Sequence, residues 1–117
     1  MITVIFLGRI IFGAYFIDAG IYHFRNTKSL TGYAKSKGVP SPELAVILSG
    51  AMFIIGGAGI FLNVLKSQSA LLIVLALVPI TFQIHSFWKG GDAAVKMNEK
   101  LAFMKNLALI GALLMMF

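Results

Sequence analysis

Seven polar side chains stand out in an otherwise apolar chain: Asp18, Tyr22, His23, Gln83, His85, Lys105 and Asn106. A carboxylate, two imidazoles, an ammonium, a phenol and two amides can hold a proton, pair their charges or bind the polar head of a ligand. Each lies inside or at the end of an apolar run. At the helical rise, Asp18 is about 7 Å inside the end of its run and Lys105 about 9 Å inside the start of its own. A charge at that depth in a membrane is costly unless it is paired or hydrated. The cheapest arrangement is an Asp18–Lys105 ion pair joined by His85, Gln83 and Asn106. Two plainer readings stand beside a ligand or proton site. The pair could do no more than fix helix order, or Lys105 could run its charge to the surface along its own stem.

Other chemistries are poorly served by this sequence. It contains no cysteine, which removes disulfide exchange, thiolate metal sites and CxxC redox chemistry. The two histidines follow no H-x-x-x-H or H-E-x-x-H spacing, and only Asp18 and Glu43 could add a carboxylate on their side, so no metal is expected. Haem between His23 and His85 fails because both sit at the membrane edge rather than facing each other within a bundle. No intrinsic cofactor is expected.

Holding the seven residues together requires a membrane scaffold. Of 117 residues, 59% are hydrophobic and 12% charged, where a soluble domain carries about 25% charged. Four apolar runs of about twenty residues each predict an all-α integral membrane bundle of four transmembrane helices. The domain is single, 1–117, with helices at about 1–23, 42–63, 68–88 and 99–117. The first run carries Arg9 and Asp18 and lacks a basic leader, so it reads as a span and not a cleavable signal. Ser41-Pro42-Glu43 opens the second helix with an N-cap, a first-turn proline and a helix-dipole acid. Pro79 should kink the third near its middle. Asn98 is the expected N-cap of the fourth, after a polar loop from Lys89.

Between the first two spans, a short helix bounded by Asn26 and Gly38 is expected to lie in the interface, with Leu30, Tyr33, Ala34 and Lys37 on one face. Val64–Ser67 is a tight turn. Gly50 and Gly57 share one face of the second span, with Gly56 and Gly59 beside them, and small residues let helices approach closely in lipid. The net charge of +6 does not point to nucleic acid. Most of the lysines and arginines flank the spans, and no basic helix face carries interleaved aromatics. Arg25, Lys28, Lys35, Lys37, Lys89, Lys96 and Lys100 fall on one side and Lys66 nearly alone on the other. The positive-inside rule then places both long loops in the cytoplasm and both termini outside, in the cell (inner or plasma) membrane. Arg9 belongs to the opposite leaflet, about 10 Å from the N-terminus. It is expected to pair with the carboxylate of Phe117, to snorkel or to meet a lipid phosphate, a structural role.

Several stretches resemble the DoxX family of small four-helix membrane proteins. They are Gly8-Arg9-Ile10 and Ala19-Gly20, Gly38-Val39-Pro40, Gly56-Gly57, and His85-Ser86-Phe87-Trp88 followed by Phe103-Met104-Lys105-Asn106-Leu107-Ala108-Leu109. The resemblance implies association with membrane redox assemblies, as in thiosulfate:quinone oxidoreductase or a complex linking superoxide dismutase to thiol chemistry. Distant relatives include a cargo receptor and a receptor-assembly chaperone. Two departures matter: Phe53 stands where the family often has a carboxylate, and His23 where it often has lysine. The departure at Phe53 puts a mechanism needing that carboxylate in question, with Asp18 as the candidate to replace it. Three functions follow as expectations. The first is an accessory or quinone-associated subunit needing a redox partner for its electrons, and the second a non-enzymatic scaffold for a client membrane protein. The third is a small dimeric transporter, disfavoured because Asp18 lies far from the midplane. A homodimer fits the free small-residue faces.

Overall fold

The computed structural model describes residues 2–117, and every regular element among them is helical. Helix α1 spans Ile2–Arg25, α2 Thr27–Ser36, α3 Pro42–Leu62, α4 Lys66–Pro79 and α5 Ala93–Leu114. A π-helical turn, Ile80–Ile84, continues α4, and a short 3₁₀ turn, Phe87–Lys89, leads toward α5. Met1, with which the first apolar run begins, lies outside the described residues.

Local chemistry explains most of these boundaries and corrects some expectations. Pro42 occupies the first turn of α3, where its missing N–H is no loss. Ser41 before it adopts a left-handed conformation and makes no side-chain cap, so the expected Ser41 cap is not formed. At the far end Asn63 takes the left-handed conformation that terminates helices, and the Val64 N–H donates to the Gly59 carbonyl at 2.8 Å. The expected Asn98 cap is also absent. Asp92 caps α5 instead, its carboxylate accepting from the Val95 N–H at 2.9 Å. The helix therefore starts more than a turn earlier than expected and absorbs most of the polar loop. Beyond Pro79 the chain does not break. It widens, so that the His85 N–H reaches the Ile80 carbonyl, five residues back, at 3.3 Å.

Three helices are long and apolar enough to cross a membrane: Ile2–Arg25, Pro42–Leu62 and Lys66–Lys89. The expected fourth is not among them, because α5 carries Lys96, Glu99, Lys100 and Lys105 along its length. Large apolar side chains such as Ile2, Val4, Ile11, Leu44, Ile55 and Leu62 stand exposed on the outside of the spans, as lipid-facing residues do. The buried core gathers Phe16, Phe53, Ile60, Ala70, Ile73, Ala76, Leu77, Ile110 and Leu113.

Glycine sets the packing order. A Cβ at Gly13 would lie 2.7 Å from the Phe61 nitrogen, and one at Gly57 2.9 Å from both the Gly13 oxygen and the Ile17 nitrogen, so α1 and α3 meet backbone to backbone. Gly56 and Gly59 turn the other way and receive Ile73 and Ser69 of α4. Helix α3 thus packs on α1 with one glycine face and on α4 with another, while α4 packs on α5. Helices α1 and α5 are not packed together in this way. The expected short helix α2 is formed between the first two spans. It packs on α3, with Ala34 buried beneath it.

Candidate functional site

The space between α1 and α5 is a cavity of about 350 Å³, backed by Phe53, Leu77 and Ile80 and covered by Leu30 of α2. Six of the seven polar residues singled out in the sequence line it: Asp18, Tyr22 and His23 from α1, His85 after the π turn, and Lys105 and Asn106 from α5. Helix spacing predicts a common depth for them. Their convergence follows from the gap, which leaves the inner faces of α1 and α5 without apolar partners.

The internal pairing differs from expectation. Asp18 and Lys105 line the same cavity but form no ion pair, and both side chains are exposed to it or to its mouth. Lys105 instead places its ammonium 5.9 Å from the centre of the Tyr15 ring, within cation–π reach. Tyr15 and Asp18 both belong to α1, and the lysine meets the ring of the first and not the carboxylate of the second. Asn106 is buried at the cavity wall. Gln83, the seventh residue, points elsewhere: its amide donates to the Lys37 carbonyl at 2.9 Å and pins α2 to the π turn. Arg9 makes no ion pair with Phe117 or any other described residue, and its guanidinium rests over the Phe6 ring at 5.2 Å.

Each histidine is held by a different device. The Nδ1 of His23 lies 3.1 Å from the Val46 carbonyl and 3.1 Å from Ser49 Oγ. A carbonyl only accepts, so Nδ1 carries the proton and Nε2 is left for the cavity. The ring also stands edge-on to Phe53, with centroids 5.3 Å apart. His85 turns its Nδ1 toward Glu99, 3.6 Å from Oε1.

Glu99 is the residue that sequence reasoning missed. It is buried, its Oε1 accepts from the Tyr33 hydroxyl at 2.6 Å, and its Oε2 pairs with the Lys37 ammonium at 3.1 Å. Burial and the neighbouring Glu99 carboxylate push the Tyr33 hydroxyl well above the usual tyrosine range, so it remains a donor. A helix begun after Asn98 makes Glu99 a first-turn acid facing water. A signal was nevertheless present: Glu99, Asn106, Ile110 and Leu113 recur at helical spacing and are the buried residues of α5.

A second, larger space of about 770 Å³ adjoins the first. It runs between α2, α3 and α4 and is mostly apolar, with Val46, Leu48, Met52, Leu75, Val78 and Phe82 among its walls. His23, Leu30, Ile80 and His85 line both spaces and form the partition between them.

No metal-ligand cluster of three or more histidine or acidic side chains occurs among the described residues. Neither the curated proteins nor the solved structures yield a match to the chain. A family model does match, over residues 4–86. It takes in the glycine-packed helices, the π turn and His85, and ends before Lys105-Asn106. That stretch is most of the 117 residues, and the chain belongs to the DoxX family.

Proposed function

We propose that this DoxX-family membrane protein is a quinone-associated accessory subunit of a membrane redox assembly, with the α1–α5 cavity as its ligand site. The observation that supports this most is the adjacency of two unlike spaces. A cavity of about 350 Å³ that gathers six of the polar side chains and an apolar groove of about 770 Å³ share a wall that includes both histidines. A quinone has carbonyl oxygens that need donors and an apolar tail that needs cover, and the two spaces divide those needs. Tyr22, Lys105 and Asn106 supply donors on the polar side. A partner redox protein would deliver the electrons.

In this reading α5 is the fourth crossing. Its charged first turns remain at the cytoplasmic surface, Lys105 faces the cavity, and the apolar remainder passes through lipid. The basic loops then lie in the cytoplasm and both termini outside. The seats of Asp18 and Lys105 on one cavity favour a ligand between them over a simple pairing that fixes helix order.

Native mass spectrometry of wild type and Lys105→Ala in mild detergent tests the proposal. A quinone or other amphiphile retained by wild type and lost from the variant supports it. Two ligand-free proteins that differ only in stability would replace it with the scaffold reading, in which the polar residues merely hold helices for a client protein.

A further inference from the structure

Glu99 and His85 are placed as a carboxylate–imidazole pair behind the cavity, and the seven residues legible in the sequence include only one of them. The carboxylate is held from two sides, where Tyr33 donates to Oε1 at 2.6 Å and Lys37 pairs with Oε2 at 3.1 Å, and the buried His85 Nδ1, which has no hydrogen-bond partner among the described residues, stands 3.6 Å from Oε1. Glu99 itself lines neither space, whereas His85 lines both. Nδ1 is the nitrogen turned to the carboxylate, so Nε2 is the one left for whatever occupies the cavity. The π turn after Pro79 sets this orientation, because it ends at His85 and delivers the ring between α2 and α5.

The geometry points to a protonation-linked ligand contact at His85, with Glu99 as its positioning residue and an oxygen-acceptor group, such as a quinone carbonyl, as its ligand. This deepens the proposed function and rests on it for the ligand class. In the neutral Nδ1–H tautomer, whose proton faces Glu99, Nε2 holds a lone pair, which repels a carbonyl oxygen. Seating a carbonyl therefore favours uptake of one proton from solvent at Nε2, and the resulting N–H donates to the ligand oxygen. The imidazolium so formed is balanced by Glu99. No bond other than N–H forms, and no electron moves.

The charges around His85 decide how strongly the fold supports this. Tyr33 of α2 and Lys37 just after it face it through Glu99, Glu99 and Lys105 act from α5, and Asp18, Tyr22 and His23 share its cavity from α1. Glu99 is the only carboxylate in direct reach of the ring among the described residues. Lys37 already claims its other oxygen. The carboxylate is thus held in place before a ligand arrives, as a positioning group should be.

Two measurements test the inference, and the first needs no ligand. The chain has two histidines, so imidazole ¹⁵N spectra in nanodiscs contain two ring systems, assigned with His85→Asn. Wild type should show His85 as the Nδ1–H tautomer, and Glu99→Gln should shift it toward Nε2–H while His23 stays unchanged. A His85 spectrum indifferent to Glu99→Gln overturns the proposal. The second is calorimetric titration with a short-chain ubiquinone analogue in two buffers of different ionisation enthalpy. Wild type should take up a substantial fraction of one proton on binding, and Glu99→Gln should lose most of that uptake while affinity falls less than tenfold. Binding without proton uptake in wild type overturns the protonation link and leaves the quinone reading intact. Absence of binding overturns the quinone reading and the link together, even if the tautomer result holds.

Discussion

Helix α1 faces α3 and α5 in opposite ways. Toward α3 it presents Gly13 and Gly20, and α3 approaches until a Cβ at either glycine would clash with it. Toward α5 it presents Tyr15, Asp18, Tyr22 and His23 across a cavity of about 350 Å³. The first contact is made by deleting side chains and the second space by keeping polar ones. In lipid this division is sensible. Apolar surface gains nothing by leaving one hydrocarbon environment for another, so close van der Waals approach must hold the helices. The tight side therefore provides stability, and the open side is free to carry charge.

The largest expected effect comes from closing that tight side to α1. In Gly57→Leu the new Cβ would meet the Gly13 carbonyl and the Ile17 nitrogen at 2.9 Å, and neither is a side chain that can rotate away. Overpacking of this kind costs about 3 kcal/mol. The variant should show a much lower thermal midpoint in detergent, whereas Gly111→Leu, with nothing near its Cβ, should not. Equal tolerance of both substitutions would remove the glycine contact as the source of stability.

A smaller effect is expected at the cover of the open side. Tyr33→Phe deletes the 2.6 Å hydrogen bond to Glu99 and should cost about 1 kcal/mol. The sign of its pH dependence is fixed by the raised Tyr33 hydroxyl. The folded state favours the protonated phenol, so the contribution is complete below the usual tyrosine value of about 10 and is lost as pH rises past it. Thermal midpoints of wild type and Tyr33→Phe should converge in that alkaline range. A constant difference up to pH values well above it would show that the hydroxyl is not the origin.

The smallest effect is predicted where the sequence suggests the largest. Asp18 has no ion-pair partner among the described residues, so Asp18→Asn should change stability by no more than about 0.5 kcal/mol. Retained stability with weakened ligand retention would mark Asp18 as a residue of the open side only. A loss as large as that of the glycine variant would restore an Asp18–Lys105 pair that the geometry does not contain.

What the sequence determined by itself is the solvent and the depth. Hydropathy marks Ile2–Arg25, Pro42–Leu62 and Lys66–Lys89 as long and apolar enough to span, and Asp18, His23, His85, Lys105 and Asn106, expected at one depth from helix spacing, line one cavity. Pro79 announces an irregular turn, because a missing N–H must disturb the helix that contains it. The partners were decided only in three dimensions. Two carboxylates, Asp18 and Glu99, compete for nearby cations, and helix depth alone favours Asp18. Helix rotation decides otherwise: the buried stripe of α5 continues through Asn106 back to Glu99, and α2 folds over it to bring Lys37 and Tyr33 into reach. A one-dimensional pattern fixes how far a residue lies along its helix. Which neighbour it meets depends on the rotation of that helix and on how closely the glycines let the others approach.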